Sequence, residues 1–475
     1  MPTPELCLKS AVELSHLIRN REVSSREVTA AHILQIERID PEINAICTFH
    51  PEMALEAADF ADAQLARGEE AGPLHGLPTA IKDTVGARGL RFTEGSPIFS
   101  DRIAAEDALI VERIRSAGAV IMGKTNVPEF GAGSHTFNPL FGPTHNGYDL
   151  NKSAGGSSGG AAAALSCRML PFANGSDMGG SLRNPGNFNN VVGFRCSPGR
   201  VPSYPTALGW FTLGVPGPMA RTAADTALFL SAIAGPDDRC PIGICEPGEI
   251  FLRSLGRDFR GVRVAWSRDL GGLPVDSRVI EALESRLNVF RDLGCIVEEA
   301  QPDFRDADEI FRTLRAWNMA LCFEEHLRLH KPLVKETVAR NTEQGFRLSG
   351  SDVSRAEQKR TALYQRLREF LRTYEFLLCP VNQVPPFDIT IEYPTQVAGV
   401  EMEDYIAWMR SAYYISVTGL PALSVPCAFT EEGLPVGLQI VGRHQRDFEV
   451  LQLAHAFEQA TLTYKRLPPV ITRGG

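Results

Sequence analysis

Two serines in glycine-rich loops and one lysine in an apolar setting are the residues of this chain that could do chemistry together. Ser181 closes the run Gly175-Ser176-Asp177-Met178-Gly179-Gly180-Ser181. Ser157 lies 24 positions earlier in Gly155-Gly156-Ser157-Ser158-Gly159-Gly160, and Lys82 stands 75 positions before Ser157, behind Pro78-Thr79-Ala80-Ile81. A serine hydroxyl is a weak nucleophile until a base takes its proton. A lysine is such a base only when neutral, which requires its pKa to fall about 3 units from roughly 10.4. Burial achieves this by penalising the charged form, and the apolar lead-in before Lys82 is consistent with burial. The chemistry this set could carry is nucleophilic acyl transfer without histidine.

The loop ending at Ser181 offers four successive backbone N–H groups, those of Met178, Gly179, Gly180 and Ser181, with little side chain to obstruct them. That is the raw material of an oxyanion hole. Asp177 and Arg183 flank the loop and read as a structural pair that holds its backbone in shape. No carboxylate cluster accompanies Asp177, so no metal is expected there. Read alone, the loop fits a turn between strands equally well, and Lys82 beside Asp83 is more simply an exposed ion pair. The 155–160 run leads straight into the alanine-rich helix start at 161–165. A glycine-rich turn at a helix N-terminus presents free amides, whereas a flexible linker would separate elements.

Two other motifs compete for the function. Residues 118–125, from Gly118 to Lys124-Thr125, match the P-loop pattern. A phosphate cradle needs a loop after a strand and before a helix; here a helix precedes, the middle residues favour strand, and Pro128 follows. Residues 155–159 match the Gly-x-Ser-x-Gly elbow, which demands a preceding strand and a later acid and histidine. Residues 146–152 are instead turn-like, and His326, His330, His444 and His455 read as residues on solvated helical faces.

The elements around these loops alternate. Helical periodicity marks a helix after the capping box Ser24-Ser25-Arg26-Glu27, and further helices at 52–67, 107–116, 276–293, 306–328, 352–374 and 446–460; Thr222 caps another. Strands are expected at 119–122, 262–265, 295–298, 423–425 and 436–441. Alternation of this kind predicts an α/β fold with a mixed or parallel central sheet. No internal repeat and no apolar-poor linker interrupts it, so one large unit of 1–475 is expected, with a variable region near 300–415.

Composition narrows the classes. The 475 residues are 44% hydrophobic and 22% charged, with a net charge of -9 and no basic run, which argues against nucleic-acid binding. No window reaches the roughly 18 apolar residues of a membrane span. The first 25 residues lack a signal-peptide pattern. Ten cysteines lie singly, with only Cys240 and Cys245 close and no histidine beside them, so zinc is not expected. Reduced thiols in the cytoplasm follow as the expectation.

From about 72 to 225 the chain resembles the amidase signature family, hydrolases with a serine–serine–lysine triad. The resemblance rests on Gly-Pro-Leu-His-Gly-Leu-Pro before Ile81-Lys82-Asp83, Thr93-Glu94-Gly95-Ser96, Gly123-Lys124-Thr125-Asn126, both serine loops, Val192-Gly193-Phe194 and Gly217-Pro218-Met219-Ala220-Arg221. A weaker match continues through Gly419-Leu420-Pro421-Ala422 and the 433–439 segment. It implies an α/β/α sandwich, a mixed central sheet flanked by helices, acting on small-molecule amides with no cofactor and often as a homodimer. Ser181 would be the nucleophile, Ser157 the bridging serine after a cis peptide bond, and Lys82 the base. Ser158 would support Lys82, while Gly131 and the 178–181 loop line the acyl site. Asn189 and Cys196 stand where members often carry cysteine and proline, positions of loop packing. No counterpart appears of the tyrosine- and arginine-rich segment by which the transamidosome's glutaminase subunit recognises its substrate. Free hydrolysis of a rather hydrophobic aryl or alkyl amide, a carbamate or an ester is therefore expected ahead of service as an amidotransferase subunit. Trp317, Phe323, Phe346, Tyr405, Trp408, Tyr413 and Tyr414 could wall the pocket or pack a helical core.

Overall fold

Short apolar runs ended by glycine, proline or polar turns become strands, and the computed structural model describes them across residues 4–473. In chain order the strands are Ile46–Phe49 (β1), Pro78–Lys82 (β2), Val120–Thr125 (β3), His145–Asn146 (β4), Asp149–Ser153 (β5), Phe172–Asp177 (β6), Val192–Arg195 (β7), Val215–Ala220 (β8), Arg263–Trp266 (β9), Ile296–Glu299 (β10), Phe376–Pro380 (β11), Gln396–Val397 (β12), Val400–Glu401 (β13), Ala422–Phe429 (β14) and Pro435–Val441 (β15). Eight of them form one sheet in the order β10-β9-β11-β15-β14-β7-β8-β6. Its β10, β9 and β11 run parallel, and every later pairing from β11–β15 to β8–β6 is antiparallel. The sheet is mixed, with helices on its faces.

A second, three-stranded sheet has the order β1-β3-β2. Side chains join it to the large sheet where β2 meets β6: Thr79 Oγ1 donates to the Phe172 carbonyl at 3.0 Å, and the Lys82 amide donates to Asn174 Oδ1 at 3.0 Å. Every residue of β2 is buried, so Lys82 ends a strand enclosed on both sides. Its burial follows from that position.

Helix starts agree with the caps in the sequence. Ser24 and Glu27 form a reciprocal capping box ahead of Ser25–Ile43, and the Thr222 side chain accepts from the Asp225 amide ahead of Ala223–Ile233. The helix expected across 276–293 is instead two, Ser277–Glu284 and Leu287–Asp292. Ser285 lies at the break, with its hydroxyl donating back to the Ala282 carbonyl at 2.7 Å, a local bond that competes with helix propagation. Residues 146–152 are also more ordered than a turn. The ribbon β4–β5 flanks a tight reversal in which Asn146 Oδ1 accepts from the Tyr148 amide. No described helix is long and apolar enough to cross a membrane.

Candidate active site

Lys82 reaches from the end of β2 into a group of three hydroxyls. Its Nζ lies 2.8 Å from Ser157 Oγ, 2.9 Å from Ser158 Oγ and 3.0 Å from Ser176 Oγ. The side chain is fully buried, and that desolvation pulls its pKa from 10.5 down to about 7, against an opposing pull from Asp177. The exposed Lys82–Asp83 pair is thereby ruled out. Asp83 turns to Thr93 and to Lys124 at 3.6 Å instead.

Ser157 is placed by the glycine-rich turn before Gly159–Ser166, a helix buried at all eight positions. The Gly156–Ser157 peptide bond is cis. Small residues are required here because the turn is crowded. A Cβ on Gly160 would meet the Asn126 amide nitrogen at 2.4 Å, and one on Gly175 would meet Ser158 Oγ at 2.6 Å. The two serine loops are tied by a backbone bond from the Ser158 amide to the Ser181 carbonyl at 3.1 Å. Ser157, Ser176, Met178, Gly179 and Ser181 all line one cavity of about 730 Å³, as does Gly131, where a Cβ would lie 3.6 Å from Ser157 Oγ.

Asp177 organises the second loop. Its carboxylate pairs with Arg183 at 2.9 Å and Arg195 at 3.4 Å, all three side chains fully buried. Burial alone would push this carboxyl up, but the two guanidiniums hold it well below the usual carboxylate range. It also accepts from the amides of Gly180 at 2.9 Å and Leu182 at 3.2 Å. Here the expectation of four free amides needs correction. The Gly180 amide is committed to Asp177 because the chain folds back over that carboxylate, and Gly180 does not line the cavity. The amides of Gly179 and Ser181 carry no hydrogen bond within the described residues and remain for a ligand. Arg183 is in turn held by Gln439, Ser416 and the Ala412 carbonyl, so the loop is braced from β15.

The P-loop match loses its geometry, whereas the Gly-x-Ser-x-Gly match has a preceding strand after all, β5, and fails for want of a histidine. Residues Val120–Thr125 of the P-loop match are strand β3, and Lys124 donates to the Val85 carbonyl. None of His326, His330, His444 and His455 lines the cavity that holds Ser157. His444 sits in a turn rather than on a helix, because the last long helix begins only at Asp447. No group of three potential metal ligands occurs among the described residues.

The cavity wall differs from the aromatic set named from sequence. Only Phe323 of the seven lines it. Trp408 stacks on Phe188, Tyr413 lies against Phe311 with centroids 4.1 Å apart, and Tyr414 packs on Phe304. Tyr405 is buried in the same cluster as Trp408, while Trp317 and Phe346 are exposed. The wall is built instead by Phe130, Met319, Met409, Ile103 and Val215, with Arg102, Arg315 and Tyr204 as polar members. Sequence reasoning also missed Ser176 and Arg195. An arginine ending the otherwise apolar strand β7 was the available signal for the second.

The chain is similar to known proteins along nearly its whole length. The Amidase family model matches residues 27–451. An acylamidase of Rhodococcus erythropolis is 35% identical over 452 residues, covering 94% of each chain. A glutamyl-tRNA(Gln) amidotransferase subunit of Moorella thermoacetica is 34% identical, covering 98% of this chain and 99% of its own. Among solved structures, a bacterial aryl acylamidase of the amidase signature family superposes with a TM-score of 0.91 at 27% identity, covering 97% of this chain and 98% of that one. The chain belongs to the amidase signature family and is an amide C–N hydrolase.

Proposed function

We propose that the protein hydrolyses small, rather hydrophobic amides through an acyl-enzyme on Ser181, with Ser157 and Lys82 relaying the protons. The observation that carries this reading is the buried Lys82 amine, half neutral near pH 7 and 2.8 Å from Ser157 in the wall of the cavity that Ser181 lines. A neutral amine has two N–H groups and one lone pair. Ser158 and Ser176 suit the two donors, which leaves the lone pair for the Ser157 proton. Ser157 then takes the proton of Ser181 as its oxygen bonds to the amide carbon. The amides of Gly179 and Ser181 are free to receive the developing oxyanion. As the C–N bond breaks, the same relay returns a proton to the leaving nitrogen, and water attacks the ester in the second half-reaction. Carbamates and esters lie within the same chemistry.

The apolar wall of Phe130, Phe323, Met319 and Met409 supports an aryl or alkyl amide as substrate. A second reading is service in an amidotransferase beside partner chains, favoured by the likeness to the Moorella amidotransferase chain. The purified chain alone, offered anilides, alkyl amides, carbamates, esters and glutamine, separates the two. Release from simple anilides without a partner supports the first, and glutamine cleavage alone supports the second. Ser181→Ala should abolish turnover; substantial residual activity would refute the mechanism.

A further inference from the structure

Arg315 is the one guanidinium in the cavity wall without a counter-charge among the described residues. It is 94% buried, being 6% exposed, on the helix Ala307–His330. Its contacts are all with neutral groups: Asn341 Oδ1 and Met319 Sδ accept from Nη1, the Tyr405 hydroxyl lies beside it, and the Tyr405 ring stands 5.4 Å from Cζ. A guanidinium has five N–H donors, so several remain over. The other cations nearby are compensated. Arg102 pairs with Glu94 at 2.7 Å, and Lys335, also beside the Tyr405 ring, pairs with Glu392 at 2.7 Å. Of the carboxylates that line the cavity, Asp177 is held by Arg183 and Arg195, and Glu106 is exposed.

An isolated buried charge is costly unless paired. The position is fixed rather than incidental, since Asn341 and Tyr405 hold the side chain from a neighbouring helix and loop. It also has a defined relation to the reacting centre. Phe311, one turn earlier on the same helix, faces the oxyanion loop: a Cβ on Gly179 would lie 2.9 Å from Phe311 Cζ. One turn separates the two levels by about 6 Å along the helix axis. Gly179, Ser181 and Arg315 line the same cavity, so a substrate with its carbonyl at the loop and its far end towards this helix spans the two.

We propose that the substrates of this cavity carry a carboxylate, and that Arg315 is its anchor. The proposal rests on the hydrolase reading and deepens it: the body of the substrate is apolar, and one end is an anion that pairs with the guanidinium. An α-amino acid amide fits less well, because its ammonium would find no buried carboxylate free among those lining the cavity.

The test compares the 4-nitroanilides of butyric and hexanoic acids with the mono-4-nitroanilides of succinic, glutaric and adipic acids and their methyl esters. N-butyryl-4-aminobenzoate places the carboxylate on the leaving side. Wild-type kcat/KM for the best carboxylate should exceed that of its methyl ester about thirtyfold or more. Arg315→Gln should collapse that ratio towards one, chiefly through KM, and Arg315→Lys should restore part of it. A purely structural defect would lower all substrates together and leave the ratio intact, which would overturn the inference. So would a wild-type ratio near one. If no anilide is cleaved, the hydrolase reading fails separately. Calorimetry then still decides the anchor: Ser181→Ala protein should bind adipate mono-anilide about thirtyfold more tightly than its methyl ester, and the added Arg315→Gln should remove the difference. Equal binding of the two ligands would refute it.

Discussion

Acidification should switch the enzyme off by protonating one buried lysine. Lys82 falls from 10.5 to about 7 because its amine is wholly desolvated. At pH 7.5 an ordinary lysine is neutral in about one molecule in a thousand, and here the fraction is about three quarters. The neutral fraction drops to about a tenth at pH 6 and about a hundredth at pH 5, and kcat/KM should follow it. The assay is initial-rate release of 4-nitroaniline from pH 5 to 9.5 with the protein's fold monitored at each pH. An acid limb centred near 7 with a plateau above 8 is expected. A profile flat across this range, or a limb centred below pH 5.5, would refute the assignment of Lys82 as base.

The same displacement has a consequence for stability. It corresponds to about 5 kcal/mol at about 1.36 kcal/mol per pH unit. The unfolded chain keeps its proton up to pH 10.5, whereas the folded protein releases it near 7. Between these values the unfolded state binds more protons, so this group's contribution to stability rises with pH across the window. Below pH 7 the full cost of the buried charge is present. Lys82→Met should therefore raise the melting temperature at pH 6, with a gain that shrinks towards pH 9, while turnover is lost. Lys82→Ala should lose less activity at high pH, where hydroxide partly replaces the base.

Further predictions concern the residues around the lysine. Ser176→Ala removes one of the three hydroxyls at Nζ and should lower kcat/KM about tenfold, less than Ser157→Ala, in the same anilide assay. Asp177→Asn strips two buried guanidiniums of their counter-charge and should cost about 3–5 kcal/mol in urea unfolding, with loss of activity. Gly180→Ala forces a side chain into a backbone at φ 114° and against Asn184 at 2.5 Å; its urea midpoint should fall by the equivalent of about 2 kcal/mol or more.

What could be read from the sequence was local. The two serine loops, the alanine-rich helix the first leads into and the caps at Ser24 and Thr222 are each written within a few residues, and the structure contains all of them, the helix starting two residues early at Gly159. Alternation predicted a mixed or parallel sheet and the family resemblance a mixed one, but neither gave its order, which depends on pairings such as β11 with β15 across distant sequence. The aromatic residues of 300–415 show the limit of composition. Helical spacing could not say which face of Ala307–His330 looks into the cavity, and most of those rings turned to the core. Gly180 shows another. Counting glycines predicts available amides, yet only the fold reveals that Asp177 takes one. Ser176 and Arg315 were hidden for the same reason, since their partners Lys82 and Asn341 lie 94 and 26 positions away.

Everything proposed for this site turns on Ser181 forming the bond to the acyl group. Rapid acid quench of the enzyme turning over a 4-nitrophenyl ester, followed by intact-mass measurement and peptide mapping, reads this directly. An acyl adduct confined to Ser181 and absent from Ser181→Ala protein is the expected result. An adduct on Ser157, or full turnover by Ser181→Ala protein, would contradict the account.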